Sequence, residues 1–212
     1  MKFIIKKKGD IISDFCNDNK ALILQQSNCT ATRMNKCSFS YSLYKKLDYS
    51  DPYNKRTSTT YYDNLAKIEC RPIPGSIKLM YKDENHPIVC CLFAQYKMGP
   101  SNSKYYLYKK YTDDIYNNFQ DDQTSRLKYF KQCLSNILDL FDNSNNSNSN
   151  KICIGQINKI IIPRKIGCYS AGGNWNLYKK ELKKFAKKMY NTNNNIKVFI
   201  IKYKNQIKKK RI

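Results

Sequence analysis

Apolar positions in this chain come in short runs between polar stretches, and their spacing switches between a strand period and a helix period. Residues 2–5 and 11–12 are short β-type runs on either side of KKKGD. ALILQQ (21–26) is a further apolar run that ends in the polar SNCT. Residues 39–47 place Phe39, Leu43 and Leu47 on one helical face. The polar, Pro-flanked segment from Asp48 to Ile73 reads as a loop with little regular structure. GSIKLMYK (75–82) and PIVCCLFAQ (87–95) read as strands, the second apolar throughout as in a strand buried on both faces.

A polar excursion over 98–123 leads into a helix from Thr124, with Leu127, Phe130, Leu134, Ile137, Leu138 and Phe141 at helical spacing and Thr124 or Asp122 as its cap. The low-complexity stretch 142–150 reads as a flexible surface loop. INKIIIP (157–163) is a buried strand, and Tyr178, Leu182, Phe185, Ala186 and Met189 mark an amphipathic helix over 176–190. A last strand covers 195–204, and 205–212 form a basic C-terminal tail. Strands alternating with helices imply an α/β fold around a mostly parallel sheet, organised as one domain over 1–204. In such sheets ligands sit at the carboxyl ends of the strands, here after strands 21–26, 87–95 and 157–163.

Glycine is scarce, with seven in the chain, yet Gly167, Gly172 and Gly173 fall together between a buried strand and a helix. Glycines there let the backbone turn tightly and approach a ligand, and amides at a helix N-terminus favour phosphate. An ordinary strand-to-helix turn would use glycine in the same way. The segment IPRKIGCYSAGGNWNLYKKELKKFA resembles the second phosphate loop and following helix of macro domains, in the subgroup that writes P-x-x-I-G-C-G-L-A-G-G-x-W. Gly9-Asp10-Ile11 resembles the GDI after that family's first strand, and QQSNC with YSDPYNKR resembles its N-C and FPYADxYxxR stretch. CLFAQYKMG with TSRLKYFKQCL resembles its N-x-F-A-Q strand and following helix. The four motifs occur in the family's order and span residues 3–203.

The resemblance implies a three-layer αβα fold with a mixed, mostly parallel sheet that binds ADP-ribose or an ADP-ribosylated macromolecule, with no cofactor and no metal. It implies that Asp10, beside Ile11, receives the adenine amino group and that Asn28 faces the distal ribose. The pyrophosphate would lie between residues 34–38, including Lys36 and Ser38, and the loop of Gly167, Cys168, Tyr169, Ser170, Ala171, Gly172 and Gly173. Tyr203 would pack beside adenine. Read without the family, Asp10 and Asn28 are ordinary turn residues. The chain departs from the pattern at Met34-Asn35-Lys36-Cys37-Ser38, where the family has glycines, and at Tyr169 and Ser170. A side chain there competes with phosphate for space, and residues other than glycine resist positive φ.

Some macro domains hydrolyse ADP-ribosyl bonds or dephosphorylate ADP-ribose-1″-phosphate. Where one branch uses a Lys and an Asp, this chain has Gln95 and Ala171, which leaves Asn28 as the candidate catalytic residue. Asp113, Asp114, Asp121 and Asp122 read as solvated loop acids, and Cys168 as packing. These departures favour a binder over an enzyme. His86 is the sole histidine, which excludes a histidine metal cluster or a Ser-His-Asp triad within the chain. The nine cysteines form no CxxC pair and read as thiols in a reducing, intracellular compartment. No signal peptide or membrane span is expected.

Charge adds a second class of function. The 39 Lys and Arg against 16 Asp and Glu give a net charge of +23. An AT-biased genome would scatter such lysines over permissive surface. A selected basic face would instead bind nucleic acid or a protein partner through Lys179, Lys180, Lys183, Lys184, Lys187 and Lys188, the tail residues Lys208, Lys209, Lys210 and Arg211, and KYYLYKKY.

Overall fold

The structure is a computed structural model that describes residues 3–59, 64–101, 119–144 and 154–203. Its elements run β1 (Ile4–Gly9), α1 (Ile11–Phe15), β2 (Ala21–Asn28), α2 (Phe39–Lys46), β3 (Ile77–Met80), β4 (Ile88–Gln95), α3 (Gln123–Ser144), β5 (Lys159–Pro163), α4 (Trp175–Thr192) and β6 (Lys197–Tyr203). The strands form one sheet in the order β1-β6-β5-β2-β4-β3, parallel except for β3 against β4. The expected mixed, mostly parallel α/β sheet is therefore present.

Burial follows position in the sheet. β4 is buried along its whole length, as its unbroken apolar run requires, whereas four consecutive residues of the edge strand β1 are exposed. Alternation along β2 sends Leu22 and Leu24 to one face and Ile23 to the other. On the first face, Phe130 and Ile137 of α3 and Leu182, Phe185 and Met189 of α4 pack on Ile160, Ile162 and Leu92. Tyr178 stacks on Phe130 there, with ring centroids 4.2 Å apart, a contact worth about 1 kcal/mol beyond its buried area. On the second face, Ile11 and Phe15 of α1 and Leu43 of α2 cover Ile23, Cys91 and Ile161. Helices on both faces make three layers.

Residues 11–12 are not a strand. Asp10 has extended backbone and its carboxylate accepts from the Ile12 amide, while the Asp14 amide donates to the Asp10 carbonyl, so a helix starts at Ile11. The lysines of KKKGD, taken as a separator, belong to β1, because an edge strand is paired on one side and sends charged side chains into water. Asp142–Ser144 continue α3 rather than opening the expected loop, whose remainder lies outside the described residues, as do KYYLYKKY and the basic tail. Asp122 is the residue that caps α3, its carboxylate accepting from the Ser125 amide at 2.7 Å.

Candidate ligand-binding cleft

The direction of the chain changes between β2 and β5. From β2 it leads to α2 on one face and on toward β4, and from β5 it leads to α4 on the opposite face and on to β6. The two loops separate at the carboxyl ends of these neighbouring strands and leave a crevice, the position where open α/β sheets receive ligands. A cleft of about 610 Å³ lies there. It is lined by residues 26–28 at the end of β2, by 33–35 and 37–40, by Gln95, Met98 and Gly99 at and after the end of β4, and by 163–167 and 169–171. Its walls carry Arg33, Arg164 and Lys165, with no carboxylate among the described residues.

The second loop is shaped by its glycines. Gly167 has φ +66° and Gly172 φ +69°, and a Cβ on Gly167 would collide with the Gln26 amide. The Gly173 amide closes the loop onto the Gly167 carbonyl at 3.1 Å, and a Cβ on Gly173 would sit 2.7 Å from that same oxygen. Asn174 then caps α4 by accepting from Asn176 and Leu177. Tyr169 does not take the positive φ that would strain it; its side chain is 91% exposed at the cleft edge. The non-glycine residue of this loop that does is Lys165, at φ +63°.

Loop 34–38 also manages without glycine or positive φ. Asn35 turns the chain by accepting from the Cys37 amide at 2.9 Å, and Ser38 caps α2 by accepting from the Tyr41 amide at 3.1 Å. Asn64 clamps the approach to it, its Oδ1 accepting from the Thr32 and Arg33 amides at 3.0 and 2.8 Å. Asn28 sits at an irregularity in the pairing of β2 with β4. Its Oδ1 accepts from the Thr30 and Ala31 amides, and its Nδ2 donates to the Tyr53 hydroxyl at 3.1 Å. Burial pushes that phenol up to about 12, so it stays neutral.

An ion pair holds the far wall. Arg126 is 1% exposed and pairs with Asp121 through Nη2 and, at 3.0 Å, through Nε. Arg126 Nη1 donates to the Gly99 and Ala171 carbonyls at 2.7 Å each, and Asp121 accepts from the Tyr96 and Lys97 amides at 2.7 and 3.0 Å. This pair fastens the loop after β4 to the loop after β5. Asp121 is thus buried rather than solvated, because the guanidinium and two amides replace its water. Asp113 and Asp114 lie outside the described residues.

Of the residues singled out from sequence, Asn28, Ser38, Gly167, Tyr169, Ser170 and Ala171 line the cleft. Lys36 is exposed and outside its lining. Gly172 and Gly173 shape the loop from behind. Cys168 is turned toward the core, its thiol donating to the Ile166 carbonyl at 3.2 Å, and burial pushes it up to about 11. Asp10 follows β1 and Tyr203 ends its neighbour β6, and the Arg164 amide, just past β5 one strand further in, donates to the Ile201 carbonyl, so all three lie at the carboxyl ends of adjacent strands. Ile11, the first residue of α1, is buried in the core on the α1 face of the sheet. Sequence reasoning missed Arg33, Arg164, Lys165, Tyr53 and Asn64. In so basic a chain the three cations do not stand out by composition, and Asn64 acts from 31 residues away. Gln95 is buried, accepts from Gln26 Nε2 at 3.1 Å and donates to the Lys97 carbonyl. The charged residues lining the cleft are Arg33, Arg164 and Lys165, an arrangement whose field favours an anion.

No family model matches the chain, and no curated protein matches it. Among solved structures, it is similar to the macro domain of ganglioside induced differentiation associated protein 2, at 13% identity and TM-score 0.46, covering 95% of this chain and 77% of that one. It is also similar to a mutant of the Oceanobacillus iheyensis macrodomain, at 10% identity and TM-score 0.47, covering 94% of this chain and 84% of that one. A second mutant of that macrodomain, solved with ADPR, gives 10% identity and TM-score 0.43, covering 93% and 83%. In structure, these solved macro domains are what the chain is similar to along nearly its whole length.

Proposed function

We propose that the cleft binds ADP-ribose, or the ADP-ribose group of a modified macromolecule. The observation that carries the proposal is an acid-free crevice at the switch point, walled by Arg33, Arg164 and Lys165 and bounded by a glycine loop that admits close backbone approach. Its volume lies within the range of nucleotide-sized pockets. The ordered motifs over residues 3–203 supply the identity of the anion. A pyrophosphate between loops 33–40 and 164–171 puts adenine toward Asp10 and Tyr203. Asp10 has spent Oδ1 on the Ile12 amide, which leaves Oδ2 to accept from the adenine amino group. The distal ribose lies toward Asn28 and Tyr53.

Isothermal titration with ADP-ribose at 50 and 500 mM salt tests this. Micromolar binding, about −8 kcal/mol, that survives salt is the expected result. Lys165→Asn keeps a residue tolerant of positive φ while removing the charge, and should weaken binding. Absence of heat at millimolar ADP-ribose would overturn the proposal.

A further inference from the structure

A second cationic surface lies outside the cleft. Two adjoining grooves, of about 580 and 380 Å³, run between the edge strand β1 and the flank of α4. Their walls carry Lys6, Lys8, Lys179, Lys183 and Lys202, while the Lys7 ammonium lies on the other face over the Phe15 ring, and no carboxylate among the described residues lines either groove. The floor is apolar, with Ile200 in both grooves, Phe3 in one and the half-buried Trp175 in the other. Arg164 lines both the smaller groove and the cleft, so the two cationic surfaces meet.

Edge protection explains lysines on β1, since charge there discourages pairing with another strand. It does not explain why α4, β6 and the loop after β5 bring cations to the same apolar floor. We infer that this groove binds single-stranded nucleic acid, running along β1 toward the mouth of the cleft. Lysines on the two walls repeat every second residue on β1, about 6.6 Å, and every fourth on α4, about 6 Å, strides that suit the phosphates of one unstacked strand. Bases freed from a duplex lie flat on aromatic surface, which the half-buried Phe3 and Trp175 offer. A duplex keeps its bases stacked and cannot use that floor, and a planar membrane cannot enter a concave groove. The inference stands whether or not the cleft holds ADP-ribose.

Trp175 is the chain's one tryptophan, so its emission reports on this groove alone. The full chain is titrated with a 12-nucleotide oligo(dT), following tryptophan emission and the anisotropy of a labelled copy between 50 and 200 mM salt. Quenching is expected. Four phosphate contacts give a log–log salt slope of about −2.8, an affinity loss of about 50-fold over that interval. Charge reversal at Lys179 and Lys183 together should reduce the slope to about −1.4. The same reversal at Lys184 and Lys188, exposed on α4 but outside the groove lining, changes net charge equally and should leave the slope near −2.8. Circular dichroism confirms the fold of both variants. Equal losses from the two pairs, or unaltered Trp175 emission at saturation, would overturn the inference. So would a 12-residue polyglutamate that binds as tightly as the oligonucleotide.

Discussion

Replacing Arg126 with Met removes a buried charge while keeping roughly the same length of side chain. Five hydrogen bonds are lost, two to Asp121 and one each to the Gly99, Ala171 and Lys97 carbonyls. Asp121 keeps its bonds from the Tyr96 and Lys97 amides but faces no cation, with its side chain 7% exposed. Breaking one partner out of a buried ion pair costs about 3–5 kcal/mol, because the remaining charge is neither hydrated nor paired. That is a large share of the ordinary folding stability of about 5–15 kcal/mol. For a chain of 212 residues each kcal/mol lowers Tm by about 2–4 °C, so a fall of about 6–20 °C is expected. Urea unfolding followed by circular dichroism measures the cost directly, provided the slope against denaturant stays unchanged. Arg126→Lys restores the charge but not the fork, and should recover part of the stability while leaving Gly99 and Ala171 unfastened. A loss below about 1 kcal/mol for Arg126→Met would refute the argument that this pair holds the two loops together.

Gly167→Ala should cost about 1–2 kcal/mol for its positive φ and displace the Gln26 amide, so ADP-ribose titration should show weaker binding by a protein that still folds. Tyr169→Ala should leave the unfolding free energy from urea titration within about 0.5 kcal/mol of the parent, since the residue is 91% exposed. With Cys168 pushed up to about 11, only about one thiol in a thousand is ionised at pH 8. Mass-resolved iodoacetamide labelling should therefore leave Cys168 intact at pH 8 and modify it progressively above pH 10, while the exposed Cys37 reacts early.

The central sheet was legible because burial on both faces leaves a plain mark: PIVCCLFAQ and INKIIIP have no polar side to hide. The edge was not. KKKGD looked like a break because strand periodicity carries no signal when one lateral side of a strand is solvated and its residues are lysine. Asp10-Ile11-Ile12 shows the converse error, in which β-branched residues suggested a strand although a capping carboxylate one position earlier had already committed the backbone to a helix.

The cleft divides along the same physical line. Glycines 167, 172 and 173 announce themselves because few other residues serve at positive φ or under a carbonyl, so the second loop could be located from composition alone. The first loop bears no such mark, because the glycines expected there by resemblance are missing. Asn35 and Ser38 turn the chain there with side-chain hydrogen bonds and an ordinary backbone, which leaves no glycine to count. Asp121 and Arg126 were hidden for another reason: an acid in a polar stretch looks solvated until its partner is known, and that partner lies five residues on, across the first turn of α3. Local chemistry was therefore readable wherever the backbone itself demanded a residue type. It was unreadable wherever a side chain gained its role from a contact made only after the loops had closed. The cations of the cleft, Arg33, Arg164 and Lys165, belong to the second kind. Within a chain of net charge +23 they are indistinguishable from their neighbours until the crevice between β2 and β5 selects them.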